Sequence, residues 1–242
     1  MNCALSSLDL NRFGVVAAKA DLIESSDQVM ECLAFCKTNR VKLLIARIDS
    51  DRLDLAHHLE SEGAILCDTL IYYELRMLKA KKHEKSYDEF AVRLIQQSDR
   101  ETVLSIAREA FSGYYGHYHS DPKLKKSDCD NTYVSWCETT INNVGDVHGV
   151  LVIEDVSGVC GFLTIRVHED ARLELVLSGI AKQYSGRGVY RRLIQSGVEY
   201  AREIGIKRVF TSTQLPNLAV QRVWIAQNFI PIRSTHTFHL WL

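Results

Sequence analysis

The sequence predicts an α/β fold (α+β, with a mixed sheet) in two parts: a small α/β N-terminal domain at residues 1–85 and a larger domain at residues 86–242. The chain has 242 residues, 46% of them apolar and 24% charged, which is a globular composition. Strand-like and helix-like hydrophobic patterns alternate along most of it. A polar, lysine-rich segment at residues 79–86 separates the two parts, and we interpret it as a linker. Its lysines are typical of solvated linker charge, although they are also suited to contact a phosphate.

The N-terminal domain shows alternating strand and helix patterns. Residues 13–18 and 41–48 have the pattern of strands, and residues 26–38 and 50–62 that of helices. Ser50 or Asp51 is a suitable cap for the second helix, which we expect to end at Gly63. Residues 65–75 form a further extended run. This first part contains no evident catalytic motif.

The second domain has more elements. Helices are predicted at residues 99–111, 131–142, 189–204 and 217–227, and extended segments at 90–95, 149–154, 159–167, 173–180, 208–212 and 235–241. A turn at residues 156–158 joins two of these strands as a hairpin. Residues 111–122 are rich in aromatic and histidine side chains but show neither the helical nor the strand period of apolar residues. We therefore interpret them as a loop that binds a ligand or packs as an aromatic plug.

The charge balance excludes several classes of protein. The 29 basic and 30 acidic residues give a formal net charge of -1, which disfavours a nucleic-acid partner. No apolar run approaches the roughly 18 residues of a membrane span, and residues 1–10 lack the pattern of a signal peptide. We therefore expect a cytoplasmic protein without a membrane partner.

The seven cysteines form an odd, scattered set, which predicts reduced core thiols rather than a disulfide framework. Cys32 and Cys36 are one helical turn apart and are suited to begin a metal site. Since no third ligand follows at a recognisable spacing, we favour core packing for both and expect no metal.

The most informative segment is residues 180–190, where an apolar strand passes through a glycine-containing turn into an amphipathic helix. Glycines let backbone N–H groups approach an anion, and a helix N-terminus attracts negative charge, so this turn is suited to a pyrophosphate. Arg187 and Lys182 are candidates to add positive charge. A tight turn that needs glycine for steric reasons is the alternative.

Together with residues 217–229, this loop resembles the GCN5-related N-acetyltransferase (GNAT) superfamily over about residues 90–242. The acyl-CoA loop of that family reads Q/R-x-x-G-x-G/A, and a later helix reads N-x-x-A-x-x-x-Y-x-x-x-G-F. Two registers are possible for the loop. The one from Gln183 to Gly188 matches every letter, whereas the one from Ser185 to Tyr190 matches only the central glycine but agrees better with the family's spacing from strand to helix. In the helix, Asn217 and Phe229 match the family, whereas Trp224 stands in place of the tyrosine.

The resemblance implies a GNAT fold and an N-acetyltransferase with acetyl-CoA as co-substrate. It assigns acetyl-CoA binding to Ser178, Gly179, Ile180, Tyr184, Ser185, Gly186, Arg187, Gly188, Val189 and Asn217. Strand 173–180 is expected to diverge from its neighbour so that amides at 178–180 form an oxyanion hole. Trp224 takes the position of a tyrosine that often protonates the departing thiolate. An indole N–H donates a hydrogen bond but is not a useful acid, so we expect Trp224 to orient the sulfur.

The base that activates the amine is left open. By resemblance, Glu174 corresponds to a glutamate that acts through water in some members; a strand glutamate that is exposed or paired is the alternative. His119 and His117 are competing candidates because the ordinary histidine pKa of ~6.5 suits proton transfer near neutrality.

The whole chain is similar to a narrower group, the bacterial N-acetyltransferases of dTDP-linked 4-amino-4,6-dideoxyhexoses. This resemblance implies a small-molecule dTDP-aminosugar as acceptor, bound by His117, Tyr118, His119, Asp121 and Trp136. Aromatic rings are suited to stack on a base or sugar face. A peptide, polyamine or other small amine as acceptor, and a catalytically silent acyl-CoA sensor, are the alternatives. A homodimer is left open.

Overall fold

A computed structural model describes residues 3–80 and 89–242. Within these residues the chain forms ten strands and eight helices. The strands are β1 (Cys3–Leu5), β2 (Ala17–Ile23), β3 (Leu43–Asp49), β4 (Ile65–Arg76), β5 (Ala91–Leu94), β6 (His148–Asp155), β7 (Gly158–Val167), β8 (Arg172–Ile180), β9 (Arg208–Gln214) and β10 (Ile230–Trp241). The helices are α1 (Ser7–Phe13), α2 (Ser26–Thr38), α3 (Leu53–Ser61), α4 (Arg100–Phe111), α5 (His117–Ser120), α6 (Lys126–Asn142), α7 (Val189–Glu203) and α8 (Leu218–Ala226).

All ten strands join one mixed sheet, in the order β1-β2-β3-β10-β4-β9-β8-β7-β6-β5. The pairs β2–β3 and β8–β9 are parallel, and the other neighbours are antiparallel. The prediction of a mixed α/β fold is confirmed. The C-terminal strand β10 pairs with both β3 and β4, so the end of the chain completes the sheet of the N-terminal part. Most of the expected linker, with the boundary at residue 85, lies outside the described residues, and the division into two domains stays a prediction.

The strand pleat explains how helices cover both faces of this sheet. In β6, Val150 and Val152 face a core formed with α4 and α6, while Leu151 and Ile153 face a core formed with α7. At the N-terminal end, α2 and α3 pack on one face. The short helix α5 and part of α6 pack on the other.

Most elements lie where the sequence pattern predicts them, and α2 matches residue for residue. The prediction of a strand at residues 13–18 is wrong at its start, since β2 begins at Ala17. Residues 7–13 instead form α1, which is capped by the side chain of Ser6. Helix α3 begins at Leu53 rather than at residue 50, since Asp49 still pairs with Thr235 of β10. The expected loop at residues 111–122 contains α5, and β10 begins at Ile230, five residues before the expected start at 235.

All seven cysteines are buried and free, which confirms the prediction of reduced core thiols. Cys32 and Cys36 lie in the apolar cluster beneath α2 and α3. In the described ranges, no group of three or more His, Cys, Asp and Glu side chains is arranged to hold a metal. None of the described helices has the length and apolar character needed to span a membrane.

Candidate active site

A gap opens in the sheet between the parallel strands β8 and β9. They pair from Arg172↔Arg208 to Leu175↔Thr211, although β8 continues to Ile180 and β9 to Gln214. The space between the diverging ends is a cavity of about 200 Å³. This divergence was implied for strand 173–180 by the resemblance.

A β-bulge in β8 explains why the strands separate. Thr164 of β7 pairs with Leu177 and Ile165 with Leu175, so Val176 is an extra residue. The buried Thr164 hydroxyl accepts a hydrogen bond from the Leu177 N–H at 3.0 Å and donates to the Leu177 carbonyl at 3.3 Å. From the other side, the Thr211 hydroxyl donates to the Leu175 carbonyl at 2.9 Å. Two threonines therefore hold the bulge at the point of divergence.

Beyond the bulge, backbone N–H groups of β8 are directed into the gap. The Leu177 N–H points to β7, where it bonds Thr164, and the Ala181 N–H points to β7, where it bonds the Cys160 carbonyl. Since N–H directions alternate along a strand, those of Ser178 and Ile180 point away from β7 into the cavity. Two fixed donors then face any carbonyl oxygen held there, which is the geometry of an oxyanion hole.

The cavity passes through the sheet, because helices of both faces line it. Its walls come from Ala110, Phe111 and Tyr114 of the α4 side and from Tyr190, Val220 and Trp224 of α7 and α8. A groove of about 550 Å³ adjoins it and shares Ala110, Tyr114 and Asn217 with it. The groove is also lined by Tyr115 and Gln214, and the Tyr114 hydroxyl donates to Oε1 of Gln214 at 2.5 Å. Two molecules can therefore reach the gap from opposite faces.

The glycine loop lies where β8 leads into α7. Gly186 and Gly188 have φ of 77° and 82°, in the left-handed region that favours glycine. Gly188 occupies the cap of α7, so no side chain uses the free N–H groups of the first helical turn. The loop residues Ser185 to Gly188 are exposed, and nothing lies within 4 Å of the position of a Gly188 Cβ. The backbone of Gly188 and Val189 therefore fits a phosphate, as expected for a coenzyme A diphosphate.

Two other loop residues have partners of their own. The Tyr184 ring is buried, and its hydroxyl donates to Asp155 at 2.8 Å, a bond that raises the pKa of Tyr184. Arg187 forms an ion pair with Glu89, and its guanidinium lies 5.1 Å from the centre of the Tyr184 ring. The side chain of Tyr184 supports the loop and is not among the residues that line the cavity, and its expected contact with acetyl-CoA stays a prediction.

Trp224 and Asn217 both line the cavity. Trp224 is 2% exposed, and its Nε1–H donates to the hydroxyl oxygen of Tyr190 at 3.1 Å. Asn217 precedes α8, but its side chain does not cap the helix; its Nδ2 donates to the Thr213 hydroxyl at 2.9 Å.

Glu174 is not among the residues that line the cavity. It lies in the paired half of β8, opposite Arg166 of β7 and Phe210 of β9. One of its carboxylate oxygens is 2.8 Å from Nε2 of His168. The paired strand glutamate that the sequence left as an alternative is the arrangement found, because the sheet is still closed at this position.

The histidine segment is mostly internal. Asp121 accepts hydrogen bonds from Nδ1 of His239 at 2.7 Å, from the Trp241 indole at 2.9 Å and from the Lys123 N–H at 2.8 Å. Burial alone would raise the pKa of Asp121, but these bonds hold it below its usual range. Nδ1 of His117 lies 2.8 Å from Nε2 of His239, and burial lowers the pKa of His117 well below its ordinary value. These groups tie α5 to the C-terminal strand and are not among the residues that line the groove, so their assignment to the acceptor stays a prediction without support from this geometry.

The remaining predicted contacts are also outside the cavity and groove. The hydroxyl of the buried Tyr118 donates to Asp9 at 2.8 Å. Nε2 of His119 lies 3.0 Å from Asp130, and its ring stacks on Tyr133. Trp136 is 42% exposed on α6. None of these side chains lines the two spaces described: Tyr118 and His119 bond residues of α1 and α6, and Trp136 faces solvent.

Several residues of the site were missed by sequence reasoning. Tyr114 and Tyr115 lie in the aromatic segment that attracted attention, but the pattern did not separate them from its buried histidines. Gln214 carried no signal, since it follows the strand predicted at residues 208–212. Tyr190 was noted only as a departure from the loop motif.

The chain matches the model of the acetyltransferase (GNAT) family over residues 101–229. Among solved structures, it is similar to a GCN5-related N-acetyltransferase from Sphaerobacter thermophilus, with a TM-score of 0.70 and 10% identity over 99% of this chain and 76% of the other. It is also similar to a functionally unknown conserved protein from Staphylococcus epidermidis, with a TM-score of 0.64 and 11% identity over 93% of this chain and 84% of the other. A third similar structure is a tandem GNAT protein from the clavulanic acid biosynthesis pathway, with a TM-score of 0.62 and 11% identity over 94% of this chain and 76% of the other. No curated protein sequence matches the chain. At these identities the structural likeness shows the fold alone.

Proposed function

Because the chain belongs to the GNAT family of acetyltransferases, we propose that it transfers the acetyl group of acetyl-CoA to an amine bound in the Tyr114–Gln214 groove. The observation that carries this proposal is the passage through the sheet between β8 and β9. A helix N-terminus without a side-chain cap lies beside this passage, and an uncharged groove that offers amide and hydroxyl groups adjoins it.

The chain's own residues account for each requirement of the reaction. Bound acetyl-CoA supplies an activated acetyl thioester. The backbone at Gly188 and Val189 holds the diphosphate, and the N–H groups of Ser178 and Ile180 stabilise the negative charge that develops on the carbonyl oxygen. The groove positions the amine against the gap from the α4 side. Direct attack of the amine then needs no covalent intermediate on the enzyme.

The groove supports an acceptor with a neutral polar body. Among the described residues that line it, none carries a charged side chain; they are Ala110, Ser112, Gly113, Tyr114, Tyr115, Gln214, Pro216 and Asn217. Amide and hydroxyl groups are suited to sugar hydroxyls, and the exposed Tyr115 ring is suited to stack on a base or sugar face. A dTDP-linked 4-amino-4,6-dideoxyhexose combines these features, and we propose it as the acceptor. A groove that binds a polyamine would be expected to carry carboxylates that pair with its positive charges.

Release of free thiol from acetyl-CoA in the presence of candidate amines tests this function. The panel contains the dTDP-aminosugar, the same sugar nucleotide with a hydroxyl in place of the amine, a polyamine and a lysine peptide. We expect turnover with the aminosugar and none with its hydroxyl counterpart. Turnover with the polyamine or peptide alone would contradict the sugar acceptor. Binding of acetyl-CoA without thiol release from any amine would favour an acyl-CoA sensor.

A further inference from the structure

The tryptophan of α8 is already engaged in a hydrogen bond. An indole has a single N–H, and that of Trp224 donates to the oxygen of Tyr190. The ring is 2% exposed and packs 5.4 Å from the ring of Tyr73, so its orientation is determined by the core. Trp224 therefore has no second proton to offer to a sulfur atom in the cavity.

Tyr190 has such a proton. It is the second residue of α7, and it lines the cavity together with Ser178 and Trp224. Its phenol oxygen accepts the hydrogen bond of the Trp224 indole at 3.1 Å, and the indole N–H is a donor only, so it cannot accept the phenol proton in return. That arrangement leaves the hydroxyl hydrogen of Tyr190 available to a group held in the gap.

We propose that Tyr190 is the catalytic residue that protonates the departing thiolate, and that Trp224 is a positioning residue that acts through it. This assignment rests on the proposed acetyl transfer. It moves the proton donor from α8, where the family motif has a tyrosine, to the beginning of α7. Tyr190 and Trp224 then form one functional pair. Tyr190 replaces a small residue in one register of the loop motif, and Trp224 replaces the tyrosine of the helix motif.

The proton balance of the step is simple. The amine nitrogen forms a bond to the carbonyl carbon, the carbon–sulfur bond breaks, and its electron pair goes to sulfur. Tyr190 transfers its hydroxyl proton to the sulfur. The proton that the nitrogen loses reaches the phenolate through solvent, which restores Tyr190. No other reactant is needed.

The surroundings of Tyr190 suit this role. A free tyrosine has a pKa of about 10 and keeps its proton at neutral pH, and burial raises the pKa of Tyr190, which makes the phenol a weaker acid. The hydrogen bond from Trp224 acts in the opposite direction, because an N–H donor stabilises the transient phenolate. The N-terminal end of α7 adds positive potential at the same place.

Binding of coenzyme A and of desulfo-coenzyme A tests the contact without requiring catalysis. The two ligands differ in the sulfur atom, and calorimetry compares them on the wild-type protein, on Tyr190→Phe and on Tyr200→Phe, a control tyrosine later in α7 that does not line the cavity. At pH 9 the thiol, with a pKa of about 8.5, is largely ionised. We expect the wild type and Tyr200→Phe to bind coenzyme A about tenfold more tightly than the desulfo ligand, because a hydrogen bond to a charged group is strong. Tyr190→Phe should bind the two equally.

Turnover provides the second measurement. We expect Tyr190→Phe to lower kcat about 100-fold without changing KM for acetyl-CoA, and Tyr200→Phe to leave both unchanged. Trp224→Phe should have a smaller effect, and the double variant should be no slower than Tyr190→Phe, since Trp224 acts through the phenol.

The outcomes separate the two proposals. A wild-type protein that binds neither ligand would overturn the proposed function, and this assignment with it. A wild-type protein that turns over, beside a Tyr190→Phe variant with unchanged kcat and unchanged sulfur preference, would overturn the assignment alone. Tighter coenzyme A binding by Tyr190→Phe with full activity would show that Tyr190 obstructs the cavity.

Discussion

The threonine at the bulge offers a test of how the sheet is opened. Thr164 is 1% exposed, and its hydroxyl bonds both backbone groups of Leu177. Thr164→Val keeps the shape of the side chain but leaves a buried N–H and carbonyl of β8 without this partner. Thr164→Ser keeps the hydroxyl and removes a methyl group. The pair therefore separates the hydrogen bonds from the packing.

The expected magnitudes follow from these contacts. A buried N–H left without a partner costs roughly 1–3 kcal/mol, so we expect Thr164→Val to lower the free energy of unfolding by about 2 kcal/mol. For a chain of this length that corresponds to a fall in Tm of about 4–8 °C. Loss of one buried methyl group in Thr164→Ser should cost about 1 kcal/mol.

Urea unfolding and steady-state kinetics check both variants. Because the bulge directs the Ser178 and Ile180 N–H groups into the gap, we expect Thr164→Val to lose kcat about tenfold and Thr164→Ser to lose little. If Thr164→Val were more stable than Thr164→Ser and equally active, the hydroxyl would not be what holds the bulge, and our account of the divergence would be wrong.

Three further predictions concern the loop, the buried histidine and the groove. Gly188→Ala and Gly205→Ala both place a side chain at positive φ and should each cost about 1 kcal/mol in urea unfolding, but calorimetry should show acetyl-CoA binding weakened about tenfold in Gly188→Ala alone. Folding holds the pKa of His117 below its unfolded value of ~6.5, so protonation favours the unfolded chain and stability should fall as pH drops below that value. Between pH 7.5 and 5.5 the free energy of unfolding should fall by about 1.4 kcal/mol more in the wild type than in His117→Gln. A substitution of the exposed His57 is the control, and it should leave this fall as it is in the wild type. Gln214→Leu removes the partner of the Tyr114 hydroxyl and should raise KM for the acceptor about tenfold without affecting KM for acetyl-CoA; equal changes in both constants would contradict a role limited to the acceptor.

The elements with strong local signals were predictable from the sequence. Helix α2 has a serine cap, an apolar stripe and no competing partner, and its bounds match the prediction. The glycines of the loop before α7 were equally informative, because positive φ at Gly186 and Gly188 is a local property of the backbone. The start of α3 was mispredicted for the opposite reason: pairing with the distant strand β10 keeps Asp49 in β3.

The roles of the polar side chains were decided by neighbours that are distant in sequence. His117 and Asp121 both bond His239 only because β10 returns to lie between β3 and β4, and His117 is not among the residues that line the groove. Glu174 and Ser178 are four residues apart on one strand, yet one is paired with His168 and the other lines the cavity. The boundary between them is the bulge at Val176, which depends on the register with β7.

By itself the sequence determined the mixed α/β fold, the glycine turn before α7 and, through its motifs, the resemblance to the acetyltransferase family, since each of these is read from local patterns along the chain. Only the tertiary structure decided which side chains reach the gap. Which hydrogen-bonding groups are already engaged there depends on contacts between residues distant in sequence. In this protein one such contact joins Trp224 to Tyr190 across two helices.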